Sequence, residues 1–169
     1  MKLARKAMAH YLDSTWKMKL ETADWEILGE DIEDMSMELN PDTEKKRNIL
    51  GQSKTSDKGY APEMDAEPYY ADPTKKIYPK IRDIALDRLT GDECKGLLLE
   101  LIVEDTDAPK HLAYVQEVMV KVKSYGGDTE GVDFPFTISE DGKRTKGYVT
   151  KESLDAEKPV FTAGEIEDA

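Results

Sequence analysis

Three stretches alternate apolar and polar residues with a period of two, and that alternation leaves few folds open. Leu97, Leu99, Leu101 and Val103 share one face, with Leu98, Glu100, Ile102 and Glu104 on the other. Val118, Val120 and Val122 alternate with Glu117, Met119, Lys121 and Lys123; Val132, Phe134, Phe136 and Ile138 alternate with Asp133, Pro135, Thr137 and Ser139. Successive side chains of a strand point to opposite sides, so each run reads as a strand. Glu140-Asp141-Gly142-Lys143 reads as a hairpin turn, because Asp-Gly accepts positive φ. Thr145 to Thr150 is its return strand, and Pro159 to Thr162 a last one. Upstream, Trp25 to Leu28 and Met35 to Leu39 alternate on either side of Gly29-Glu30-Asp31 and predict a further hairpin.

A single segment has helical spacing. Between Tyr78 and Leu89, Ile81, Ile84, Ala85 and Arg88 fall on one stripe, with Ile77 just before it. Pro79 suits the first turn and Gly91 the position past the end. This helix is expected to lie across the outside of a sheet. The order of elements predicts a mainly β fold, a β-sandwich or open barrel with one flanking α-helix. At 169 residues the chain suits one domain with arms. The expected boundaries are a basic arm over 1–15, a β-domain over 16–162 and an acidic tail over 163–169.

Charge excludes some partners. The net charge is −12, yet residues 1–20 hold five Lys or Arg against the single acid Asp13, a local +4 that leaves −16 elsewhere. A body this acidic is unsuited to gripping nucleic-acid phosphates or an anionic membrane surface. A basic arm on an acidic body suggests self-association. No run approaches the ~18 apolar residues of a membrane span. The basic start MKLARKAMAH lacks the apolar stretch of a secretory signal. The single cysteine, Cys94, excludes an internal disulfide.

No catalytic constellation is present in the pattern. His10, His111 and Cys94 lack metal-ligand spacing, and no phosphate-cradling glycine loop or nucleophile elbow occurs. The acidic runs at Asp31 to Asp34 and Glu104 to Asp107 lack the spacing and central glycine of a calcium loop. The chain is expected to be neither an enzyme nor a cofactor or metal binder.

One stretch stands apart from this plan. In MELNPDTEKKRNILGQ, Met37 to Gln52, an isolated Ile49-Leu50 pair follows a charged run and precedes Gly51. Residues 40–60 read as a long solvated loop, longer than a compact domain usually carries unless it has a function. Two aliphatic residues there hint at burial against something outside the domain.

The run Glu38 to Gly51 resembles the loop of tail tube proteins, the major tail proteins of phages and prophages of Gram-positive bacteria. The blocks that follow are similar in order: Gly59-Tyr60 and Pro62, Glu67-Pro68-Tyr69-Tyr70-Ala71, one helix, Gly91-Asp92-Glu93-Cys94-Lys95, and Ser124 to Gly131 before the Phe134/Phe136 strand. The resemblance spans about residues 15–150. It implies a virion protein, assembled in the bacterial host cytoplasm, whose hexameric rings close a β-barrel and stack into a tube. The implied partners are other copies, tape-measure, tail-tip and terminator proteins, and a sheath protein if the tail contracts. DNA would pass through the lumen without specific binding, and no membrane is involved. Glu100, Glu104 and Glu117 are the candidate lumen-facing carboxylates. Asn48, Ile49, Leu50 and Gly51 are the candidate inter-subunit loop, docking on an adjacent subunit unless the pair tucks under its own sheet. Other readings are the tube of a contractile bacteriocin-like particle, a terminator or connector ring, and, in a different class, an acidic monomeric binding module.

Overall fold

The alternating runs, apart from Val132–Asp133 in a separate ribbon, assemble into one seven-stranded antiparallel sheet in the computed structural model, which describes residues 1–166. The strands are β1 (Met8–Asp13), β2 (Trp25–Ile27), β3 (Thr43–Arg47), β4 (Ser53–Asp57), β5 (Glu63–Ala66), β6 (Lys95–Ile102), β7 (Lys110–Val122), β8 (Gly126–Asp128), β9 (Gly131–Asp133), β10 (Phe136–Thr150) and β11 (Phe161–Ala163). The helices are α1 (Tyr78–Leu86) and α2 (Lys151–Asp155). Strands follow the order β11-β10-β7-β6-β1-β2, with β5 paired to the first part of β10; β3–β4 and β8–β9 are separate two-stranded ribbons. The sheet curls into a half-barrel, so the mainly β class is the observed fold, with α1 as the expected helix and the short α2 as one the spacing did not indicate.

Both faces of the central strands are buried. Leu98 joins Leu12, Val118, Val120, Phe136 and Ile138 in a cluster that also takes in Ile77, Ile81, Ile84 and Ala85 from α1 and the residue before it. Each of the Leu, Val, Ile and Phe side chains contributes about 1.5–3 kcal/mol through burial. The opposite face of β6, Leu97, Leu99 and Leu101, packs with Tyr11, Ala113, Val115 and Val149, with Trp25, Leu154 and Phe161 at its margin. Pro79 occupies the first turn of α1 as its fixed φ favours. The helix ends before Arg88, which is left-handed at φ 54° and donates to the Ala85 carbonyl at 2.6 Å, so Arg88 leaves the stripe.

Five expectations are corrected. Met8–Asp13 is not part of an arm: it is β1, hydrogen-bonded to β6 on one side and β2 on the other. Charge counting missed it because the strand core is Ala9-His10-Tyr11-Leu12, between the charged residues that set the local balance. Trp25–Ile27 therefore pairs with β1, and Met35 to Leu39 forms no strand, touching β5 through a single Glu38–Glu63 bridge. Residues 40–60 are not a loop but the antiparallel ribbon β3–β4. Glu140 to Lys143 is not a hairpin turn: β10 runs through it, and three residues, Asp141, Gly142 and Lys143, bulge opposite Glu117 alone. The Glu117 carboxylate accepts the Lys143 N–H at 3.2 Å, and the Gln116 amide donates to the Gly142 carbonyl at 3.3 Å. Gly142, at φ 110°, supplies the left-handed backbone here in a bulge rather than a turn. Of the expected tail, Ala163 belongs to β11, and residues 167–169 lie outside the described residues.

Candidate assembly surface

The β3–β4 ribbon is built from charged and polar residues, so it has no apolar face with which to pack on the sheet. Its base is held to the body by Ala61 N–H to Leu39 O (3.1 Å) and by the Asn40 amide to Ala61 O (3.0 Å). Pairs run from Thr43↔Asp57 to Arg47↔Ser53. At ~3.4 Å per residue the tip stands roughly 20 Å from the base. Asn48 organises that tip: its side-chain oxygen accepts from the N–H groups of Leu50 (2.9 Å) and Gln52 (3.0 Å), and its amide donates to the Gln52 side chain (2.9 Å). Gly51, at φ 77°, makes the return that a side chain would strain. Ile49 and Leu50 are left 102% and 76% exposed. They do not tuck under their own sheet.

Beside the base of the ribbon a cleft of about 870 Å³ is lined by Met8, Met35, Met37, Leu39, Tyr60 and Pro62 over a charged floor. The floor is a cluster from three strands. Arg144 donates to Glu100 at 2.9 Å and to Glu140 at 3.2 Å, and its guanidinium lies 4.4 Å over the Tyr114 ring. Burial works to raise the Glu100 carboxyl; the His10 ring, with Nε2 at 3.6 Å, and the Arg144 charge outweigh it and hold the group at about 2. At 3.6 Å the His10 approach is beyond hydrogen-bond length, and both its ring nitrogens are buried without a hydrogen-bond partner, so Arg144 carries most of the effect. Glu140 moves the other way, raised by burial with Arg144 opposing and Glu100 reinforcing.

The three proposed lumen carboxylates are not brought together. Glu100 is an ion-paired group on the Leu98 side of the sheet. Glu117 is paired in register with Leu97, hence on the opposite face, and is engaged by the bulge. Glu104 is exposed just beyond β6. The cleft was missed from sequence because its lining comes from distant segments; the period-two run at Met35, Met37 and Leu39 was its one local sign. His10 and His111 lie in different strands, and among the described residues no three His, Cys, Asp or Glu side chains are grouped to hold a metal ion.

No protein-family model matches the chain, and no curated protein matches it in sequence. Among solved structures, the chain is similar to the PVC sheath/tube terminator of an extracellular contractile injection system, determined by cryo-EM in the extended state. The TM-score is 0.52 at 11% identity, over 86% of this chain and 96% of that one. At that identity the likeness is one of fold: two unlike sequences share a backbone arrangement.

Proposed function

We propose that the chain is a structural, non-catalytic subunit of a phage-tail-like particle, joining its own copies edge to edge into hexameric rings that stack as a tail tube. The observation that carries this reading is the fold shared with the contractile-injection-system terminator. Two features of the chain support it. The sheet ends on short strands, β2 and β11, of three residues each, which have no further strand beside them among the described residues. The β3–β4 ribbon also projects two aliphatic residues that nothing among the described residues covers. Under this reading the partners are other copies, a tape-measure protein, tail-tip and terminator proteins, and a sheath if the particle contracts, with DNA sliding past an acidic lining to which Glu104 is the best-placed contributor.

Negative-stain microscopy of the concentrated protein tests the reading. Tubes or rings are expected from the wild type; folded monomers of unchanged melting temperature are expected from the Ile49→Ser, Leu50→Ser double variant. A wild type that stays monomeric at high concentration overturns the proposal. The terminator likeness favours a second reading, a single capping ring, and the same images separate the two: discrete rings that never elongate mark a terminator.

A further inference from the structure

Two exposed surfaces of the chain match each other in shape and charge. The first is the ribbon tip. From Lys45 to Ser56 the ribbon holds four cations, Lys45, Lys46, Arg47 and Lys54, and no carboxylate, with Ile49 and Leu50 at its end. Lys46 is held at 3.5 Å by Glu44, whereas Lys45, Arg47 and Lys54 have no ion pair among the described residues. The second is the cleft at the ribbon base, apolar at its rim through Met8, Leu39 and Tyr60, all exposed. It shares Met35 and Ser36 with an adjoining recess lined by Asp34, Glu38, Glu63 and Asp65. Asp65 is engaged by Lys123 and Thr137; Asp34, Glu38 and Glu63 have no cation among the described residues. The cleft's own cations are occupied: Arg5 donates to the carbonyls of Met8 (2.7 Å) and Met35 (2.8 Å), and Arg144 is held by Glu100 and Glu140.

We propose that the ribbon tip of one copy seats in the cleft of a second copy, Ile49 and Leu50 among the methionines, Leu39 and Tyr60, with the cationic stem along the carboxylate recess. This rests on the self-assembling reading above and names the socket. The tip cannot fill its own cleft, because a paired antiparallel ribbon holds it roughly 20 Å from the base it springs from. A two-stranded ribbon is marginal alone in water and gains its stability on docking. Methionine side chains adapt to an incoming aliphatic pair, and the stem charges set the register. Knob and socket are different surfaces, so each copy uses both, and the contact is head-to-tail: it closes into rings or grows as a filament of one polarity.

The test places one cysteine on each surface in a Cys94→Ser background, which removes the chain's single cysteine. Leu50→Cys protein is mixed with Tyr60→Cys protein under conditions where the wild type assembles, and mild oxidation is followed by mass analysis of linked peptides. A disulfide between copies joining the Leu50→Cys and Tyr60→Cys sites is expected, at least about tenfold more abundant than one to Val132→Cys, an exposed control outside the cleft. A charge exchange needs no change at Cys94. Glu38→Lys with Glu63→Lys should slow assembly about tenfold, and Lys45→Glu with Arg47→Glu on the same chain should restore it. If wild type assembles but Leu50 links to the control as readily as to Tyr60, and the exchange restores nothing, the socket is wrong and the self-assembling reading stands. If the wild type does not assemble, that reading falls and the socket with it.

Discussion

At Glu100 burial and charge pull against each other, and the residue shows how a carboxylate on a sheet face becomes structural. Its folded pKa, about 2, lies below the ordinary 4.5. It therefore contributes stability that is fully present above pH 4.5 and is lost as pH falls through 2. Glu140, raised, has the opposite sign: protonation favours the folded state as pH falls below its folded value. Glu100→Gln should lower stability at neutral pH by up to about 3 kcal/mol. Between pH 4.5 and 2 its melting temperature should then fall less steeply than that of the wild type. Circular-dichroism melts across that range check this; parallel acid profiles would remove Glu100 from the stabilising network. Nothing in the local sequence distinguished Glu100 from Glu104, since both are acids on the same alternating run. His10 on the adjacent β1, and Arg144 reaching over β7 from β10, make the difference.

At the scale of elements, α1 was legible and the hairpins were not. A helix declares itself within a dozen residues, through Pro79 and the Ile81/Ile84/Ala85 stripe. A hairpin depends on which strand is available to pair. Asp141-Gly142 has the chemistry of a turn, yet β7 and β10 are 13 and 15 residues long, and their ladder continues on both sides of the bulge. A turn there would have left the Lys110–Gln116 half of β7 without that partner. The end of the same ladder holds β11. A Cβ on Gly147 would lie 2.1 Å from the Thr162 carbonyl oxygen and 2.6 Å from the Phe161 ring. Gly147→Val should therefore detach β11 and cost about 1–3 kcal/mol. Hydrogen exchange would show Phe161–Ala163 losing protection while β6 and the first part of β7 keep theirs. Retained protection at β11 would mean that the edge absorbs the side chain.

Over the whole molecule, a net charge of −12 opposes any contact between copies, whereas the ribbon stem and the carboxylate recess attract. The two act over different ranges. Body repulsion is long-range and is damped as the Debye length shrinks from ~30 Å at 0.01 M salt to ~10 Å at 0.1 M. Contacts between stem and recess are close and partly desolvated, so they are screened less. Assembly followed by light scattering should accelerate between those salt concentrations. A slowing would mean that attraction between the surfaces is itself long-range and exposed.

Spacing within a few residues was enough for the mainly β class, the helix α1 and the oddity of Ile49-Leu50, whereas the short α2 and the burial of both faces of β6 were not legible there. Tertiary structure alone decided that Met8–Asp13 fills the sheet between β2 and β6 and that residues 40–60 stand out as a ribbon. It also decided that Asp-Gly bulges instead of turning, and that Met35 to Leu39 lines a cleft over an ion-paired floor. The physical reason is the same in each case. Strand pairing and cleft formation are settled by contacts between segments far apart in the chain, and no local period or charge count records which segments will meet.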